Sequence, residues 1–153
     1  MNADCLIVYA SMTGNTEELA NLIGEGIRLG GAAVEIKDIL EVDVANLQEY
    51  DGILFGAYTW GDGDLPDEFL DFYEEMDRVN LEGKIASAFG SCDSTYEHMG
   101  GAVNILTEKL AELGADVVEP GLKIELSSTD SEKKQCIQFG HFIAEKIGGV
   151  IRK

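Results

Sequence analysis

Two apolar periodicities alternate along this chain. Cys5-Leu-Ile-Val-Tyr-Ala10 is a continuous apolar run, which suits a strand buried on both faces of a parallel sheet. Leu19, Leu22, Ile23, Gly26 and Ile27 then recur at three- and four-residue steps, the signature of one helix face. Gly30-Gly31 stops that helix. A second strand is expected near residues 33–39 and a short helix around 43–49. Gly52 to Tyr58 reads as a third strand. Pro66 sits where a first helical turn tolerates proline, and Phe69, Leu70, Phe72, Tyr73 and Met76 supply an apolar face behind it. Residues 84–90 make a fourth strand, and 101–113 a helix with Val103, Leu106, Leu110 and Leu113 aligned. A fifth strand lies within 116–126, with a possible break at Pro120-Gly121; a last helix covers about 131–147 through Ile137, Phe139, Ile143 and Ile147.

Five alternations of strand and helix predict an α/β fold: a five-stranded parallel sheet with helices on both faces. The chain holds no linker, repeat or low-complexity tract, so residues 1–153 are expected to form a single domain. Ligands of such sheets bind beyond the carboxyl ends of the strands, where the winding direction reverses. The segments after strands one, three and four therefore matter most.

The first is Ser11-Met12-Thr13-Gly14-Asn15-Thr16. It offers three hydroxyls, one side-chain amide and several backbone N–H groups at the start of a helix, a donor set that suits a phosphate monoester. No Gly-Lys-Ser/Thr triplet and no three-glycine dinucleotide fingerprint is present. Taken by itself the segment also reads as an ordinary capped turn, since Ser, Thr and Asn are common caps.

The second is Tyr58-Thr59-Trp60-Gly61-Asp62-Gly63-Asp64, which holds the single tryptophan. A strand end is a poor place to bury so large a ring and a good place to stack it on a planar ligand. Trp60 folded back over the sheet edge is the plainer alternative. Eight acidic residues and no basic one lie from Asp62 to Asp77. A solvated face explains some of them; their concentration beside a ligand edge points to a charged partner.

The third runs from Gly90 through Ser91, Cys92, Asp93, Ser94, Thr95 and Tyr96 to Gly101. Its small polar residues offer backbone groups, and Tyr96 a second aromatic plane. Cys92 has no evident base partner in sequence and reads as a packing residue of this loop.

Charge removes whole classes of function. Eleven basic residues against 29 acidic ones give a net charge of -18. Nucleic acid and anionic membrane surfaces are excluded as partners on that balance, and a basic protein partner is favoured. No apolar run approaches the roughly 20 residues that cross a bilayer. Met1-Asn2-Ala3-Asp4 lacks the basic start of a secretory signal, and Cys5, Cys92 and Cys136 lack zinc-site spacing. A cytoplasmic protein with free thiols and no metal site is expected. His98 and His141 stand too far apart in sequence and setting to suggest a metal pair.

The three segments together resemble flavodoxin, the FMN-containing electron carrier, over nearly the whole chain. The most specific pieces are Ser11 to Thr16, Tyr58 to Asp62, and Asp93-Ser94-Thr95-Tyr96-Glu97. The chain has no room for the insertion that splits the fifth strand in some members, so it looks like the short-chain form. The resemblance implies the strand order 2-1-3-4-5; that order, with FMN at the switch point, is the established flavodoxin arrangement. It implies that Ser11, Thr13, Asn15 and Thr16, with backbone N–H groups around Met12 and Gly14, bind the phosphate of FMN. It implies that Trp60 and Tyr96 stack on the two faces of the isoalloxazine. Tyr58, Thr59 and the backbone near Asp62, Ser91, Cys92 and Asp93 complete the ring site. The Gly61 carbonyl turns towards flavin N5 when the flavin takes up one electron and one proton. The implied function is low-potential transfer of single electrons through the neutral semiquinone and anionic hydroquinone, with no substrate turnover. The implied partners are basic-surfaced redox proteins: a flavin reductase or ferredoxin-type donor, and acceptor enzymes, served by a monomer. Met12 departs from the small polar residue common at its position, and Gly63 and His98 are further differences.

Other readings of the same fold fit less well. A receiver domain needs an acidic pair after strand one and a phospho-accepting Asp after strand three, where this chain has Ala10-Ser11 and Thr59-Trp60. An FMN-dependent quinone or nitro-compound reductase needs a substrate pocket, and these short segments add nothing to build one. A flavin-binding partner dedicated to one radical enzyme would co-purify with that enzyme.

Overall fold

The computed structural model describes residues 4–10, 15–57, 67–92, 101–118, 122–125 and 130–151. Its strands are β1 (Cys5–Ala10), β2 (Val34–Asp38), β3 (Gly52–Ala57), β4 (Ile85–Cys92), β5 (Asp116–Val117) and β6 (Leu122–Glu125). Its α-helices are α1 (Asn15–Leu29), α2 (Asp67–Glu75), α3 (Gly101–Glu112) and α4 (Asp130–Ile151). All strand pairs are parallel, in the order β2-β1-β3-β4-β5, with β6 also paired to β4. β5 and β6 share one sheet position: β5 pairs with Ile85 and Ala86, and β6 with Phe89 to Cys92. The sheet therefore has five positions in the order 2-1-3-4-5, as the resemblance implied.

Alternation along each strand splits the core into two layers. Leu6, Val8 and Ala10 of β1, Ile53, Phe55 and Ala57 of β3, and Ala86 and Ala88 of β4 face α2 and α3. Cys5 and Ile7, Leu54, and Ile85 and Phe89 face α1 and α4. Near-continuous apolar sequence in β1 and β3 is the consequence of this double burial. On the first face Phe55, Phe69 and Phe72 meet edge to face, with centroids 5.7 to 5.9 Å apart, and fasten α2 to β3. On the second face α1 and α4 lie so close that glycine is required: a Cβ on Gly140 would sit 2.0 Å from the Ile23 carbonyl oxygen.

Two helices end in the same way. Gly31 and Gly114, at φ +94° and +92°, occupy the left-handed position after α1 and α3. Their flanking amides return to the helices, as in Ala32 N–H to the Ile27 carbonyl and Ala115 N–H to that of Leu110.

The structure differs from the sequence reading in several places. β4 runs two residues further than expected, so Ser91 and Cys92 belong to the strand and not to the following loop. They are in register with Ile124 and Glu125 of β6, a long-range pairing that outweighs the turn-like character of Gly-Ser. The short helix near 43–49 is a 3-10 helix, Val44–Glu49, and another, Ile39–Glu41, takes the last residue assigned to strand two. α4 extends to Ile151, past the last strongly periodic position. Leu70, placed on the apolar face of α2, is exposed, because Phe69, Phe72 and Met76 fill that face.

Candidate cofactor site

Parallel register places the carboxyl ends of three strands side by side. Ala10 of β1 pairs with Ala57 of β3, and Gly56 of β3 with Phe89 of β4. Residues 11–14, 58–66 and 93–100 follow those ends directly in the chain. The winding reverses at β1, which has β2 on one side and β3 on the other. This is the position at which open α/β sheets hold their ligands.

The residues singled out by sequence divide accordingly. Asn15 is the first residue of α1, and Thr16 in its first turn is a buried hydroxyl, 1% exposed. Ser91 and Cys92 are the last residues of β4, one strand away from β3. Ser11, Met12, Thr13, Gly14, Tyr58, Thr59, Trp60, Gly61, Asp62, Asp93 and Tyr96 lie outside the described residues, as do Gly63 and His98. Cys5 and Cys136 are buried free thiols, pushed up in pKa by burial, Cys136 to about 11. Among the described residues no cluster of His, Cys, Asp or Glu could hold a metal ion.

The chemistry of the donor set suits a phosphate ester. α1 is 15 residues long, so its first-turn N–H groups carry a full helix-end partial charge. Thr16, a hydroxyl residue, is buried in that turn. No Lys or Arg occurs in 11–16, 58–62 or 91–96. The groups that these segments would offer an anion are hydroxyls, amides and the helix end, with the carboxylates Glu17 and Glu18 in the same first turn of α1.

Sequence reasoning missed two side chains, Tyr9 beside this region and Lys109 further along α3. The Tyr9 hydroxyl donates to Glu17 Oε2 at 2.7 Å, tying β1 to α1 across residues 11–14. The eight-residue spacing of Glu17 from the one tyrosine of β1 was the available signal. Lys109 of α3 is 5% exposed and reaches Asp77 and the Tyr73 ring. A lysine three residues after Leu106 and four before Leu113, on the apolar side of α3, was the corresponding signal.

The family model described as Flavodoxin matches residues 7–140. The chain belongs to the flavodoxin family. Among curated relatives, the Bacillus subtilis (strain 168) protein named "Probable flavodoxin 2" is 45% identical, over 95% of this chain and 97% of its own. The flavodoxin of Maridesulfovibrio salexigens is 41% identical over 93% of this chain and 97% of its own. Among solved structures, oxidised Flavodoxin 1 from Bacillus cereus superposes with a TM-score of 0.88. It is 51% identical and covers 92% of this chain and 97% of that one. Flavodoxins are electron carriers rather than enzymes, their cofactor is FMN and their partners are redox proteins. The chain is accordingly a small electron-transfer flavoprotein. Among the described residues no helix is long and apolar enough to cross a membrane.

Proposed function

We propose that residues 1–153 act as one FMN-binding unit, a monomer that passes single electrons between basic-surfaced redox proteins in the cytoplasm. When bound, FMN supplies two successive one-electron steps. Ser11, Thr13, Asn15 and Thr16 hold the phosphate, assisted by the N–H groups of Met12 and Gly14. Trp60 and Tyr96 cover the two faces of the ring and exclude water from it. Tyr58 and Thr59 lead from β3 to Trp60, and the backbone of Asp62, Ser91, Cys92 and Asp93 meets the polar edge of the ring. The Gly61 carbonyl would accept a hydrogen bond at ring N5 and so hold a proton there. That bond favours the first electron, by about 1 kcal/mol net. An apolar sandwich under exposed carboxylates disfavours the second.

The observation that carries this reading is the adjacency of the β1, β3 and β4 ends, with Thr16 buried in the first turn of the helix that follows β1. Its test is a reductive titration of the purified protein followed by absorption. Two resolved one-electron steps are expected, and slow oxidation of NADPH by the protein alone. A single two-electron step with rapid NADPH turnover would overturn the carrier reading in favour of a reductase.

A further inference from the structure

α2 and α3 both begin where a candidate ring-holding segment ends. α2 starts at Asp67, directly after residues 58–66, and α3 starts at Gly101, directly after 93–100. Both helices cover the same face of the sheet, where Phe69, Phe72 and Met76 of one share a core with Leu106 and Leu110 of the other.

Lys109 joins the two. Its side chain is 5% exposed, and its ammonium forms an ion pair and hydrogen bond with the Asp77 carboxylate. The same ammonium lies 4.5 Å from the centroid of the Tyr73 ring. Tyr73 and Asp77 are four residues apart, so both sit on one side of α2 and its 3-10 extension Met76–Arg78. A buried cation is costly unless it is paired, and here a carboxylate and a ring face pair it. Burial alone would lower the lysine pKa; the Asp77 carboxylate, with Tyr73 and Glu112, outweighs that and holds it above the ordinary lysine value. The ammonium therefore stays charged at neutral pH. It also offsets repulsion within α2 and its extension, which hold six carboxylates from Asp67 to Asp77.

We propose that Lys109 is a positioning residue for the flavin ring: by clamping Tyr73 and Asp77 it fixes the spacing of α2 and α3, the two helices that begin directly after the segments carrying Trp60 and Tyr96. This rests on the reading above that those two aromatics flank the ring. At 1.5 Å per residue, Tyr73 stands about 9 Å from the start of α2 and Lys109 about 12 Å from the start of α3. Stacking depends on interplanar distance, so a small shift at the clamp matters at the ring.

The test compares Lys109→Met, which keeps length and apolar bulk, with Lys109→Arg, which keeps the charge. FMN and riboflavin are titrated separately into the flavin-free proteins, and the visible circular dichroism of the bound flavin is recorded. Lys109→Met should weaken both flavins by the same factor, about tenfold, because only ring contacts change. It should alter the flavin dichroism and speed amide exchange in α2. Lys109→Arg should restore all three. The exposed partner's variant Asp77→Asn should act in the same direction and serves if Lys109→Met does not fold. Affinities and dichroism equal to the parent in the charge-removing variants would overturn the positioning role alone. Failure of the parent to bind either flavin would overturn the functional reading beneath it.

Discussion

The Tyr9 hydroxyl donates a 2.7 Å hydrogen bond to Glu17 Oε2, so the next-to-last residue of β1 is tied to the first turn of α1. The bond joins the residues on either side of 11–14 in the chain and occupies one Glu17 carboxylate oxygen. Tyr9→Phe removes the hydroxyl and keeps the ring. FMN affinity should fall about threefold, as for one exposed hydrogen bond. Flavin fluorescence titration measures it; an unchanged Kd would show that the span needs no such tie.

Alkaline titration follows from the same bond and its counterpart, the Tyr50 hydroxyl donating to Glu35 Oε2 at 2.5 Å. Burial first, then the carboxylate partner, pushes both phenols up from 10 to about 12. The folded state thus holds these protons more tightly than the unfolded state. Their stabilisation is fully present below pH 10 and is lost as pH rises towards 12. Urea midpoints should fall across that window, and the fall should be shallower in the Tyr9→Phe/Tyr50→Phe variant. Equal slopes would exclude the two tyrosines as its source.

Packing of α1 on α4 predicts a sharp intolerance. A Cβ on Gly26 would lie 2.0 Å from the Ile137 carbonyl oxygen, and one on Gly140 equally close to that of Ile23. The obstacles are backbone atoms, which cannot rotate aside. Gly140→Ala should destabilise the protein by roughly 3 kcal/mol, despite the better helix propensity of alanine. A urea midpoint equal to that of the parent would mean that the helices part at little cost.

Much of this architecture was legible in sequence because double burial leaves a mark. β1 and β3 are near-continuous apolar runs, and the four helices show their inward faces at three- and four-residue steps. What escaped was decided by partners distant in the chain. Ser91 and Cys92 look like turn residues; β6, more than 30 positions on, keeps them in the strand. Leu70 looks apolar and inward, and Phe69 and Phe72 displace it. At the site, the helix that follows β1 was legible from Leu19, Leu22, Ile23 and Ile27. Lys109 was not, because its role depends on Tyr73 and Asp77 of another helix, which no local pattern links to it.

Surface charge should govern association with partners. Asp71, Glu74 and Asp77 of α2 and its extension are exposed, in a chain of net charge -18. Asp71→Asn/Glu74→Gln, which spares the Lys109 pair, should slow electron transfer to a basic redox protein at low ionic strength and leave the rate at high salt unchanged. Stopped-flow rates against salt report this. Identical salt dependence in parent and variant would remove α2 from the docking surface.

The central claim is a phosphate cradle at the end of β1 beside a ring site at the ends of β3 and β4. Titration of the flavin-free protein with FMN and with riboflavin, in the parent and in Thr13→Ala/Thr16→Ala, tests it most directly. The parent should take up one FMN per chain, quench its fluorescence and bind riboflavin more weakly. The double variant should lose FMN affinity by about a hundredfold, two charge-assisted bonds, while its riboflavin affinity stays near that of the parent. No FMN uptake by the parent, or equal FMN affinity in the double variant, would contradict the account.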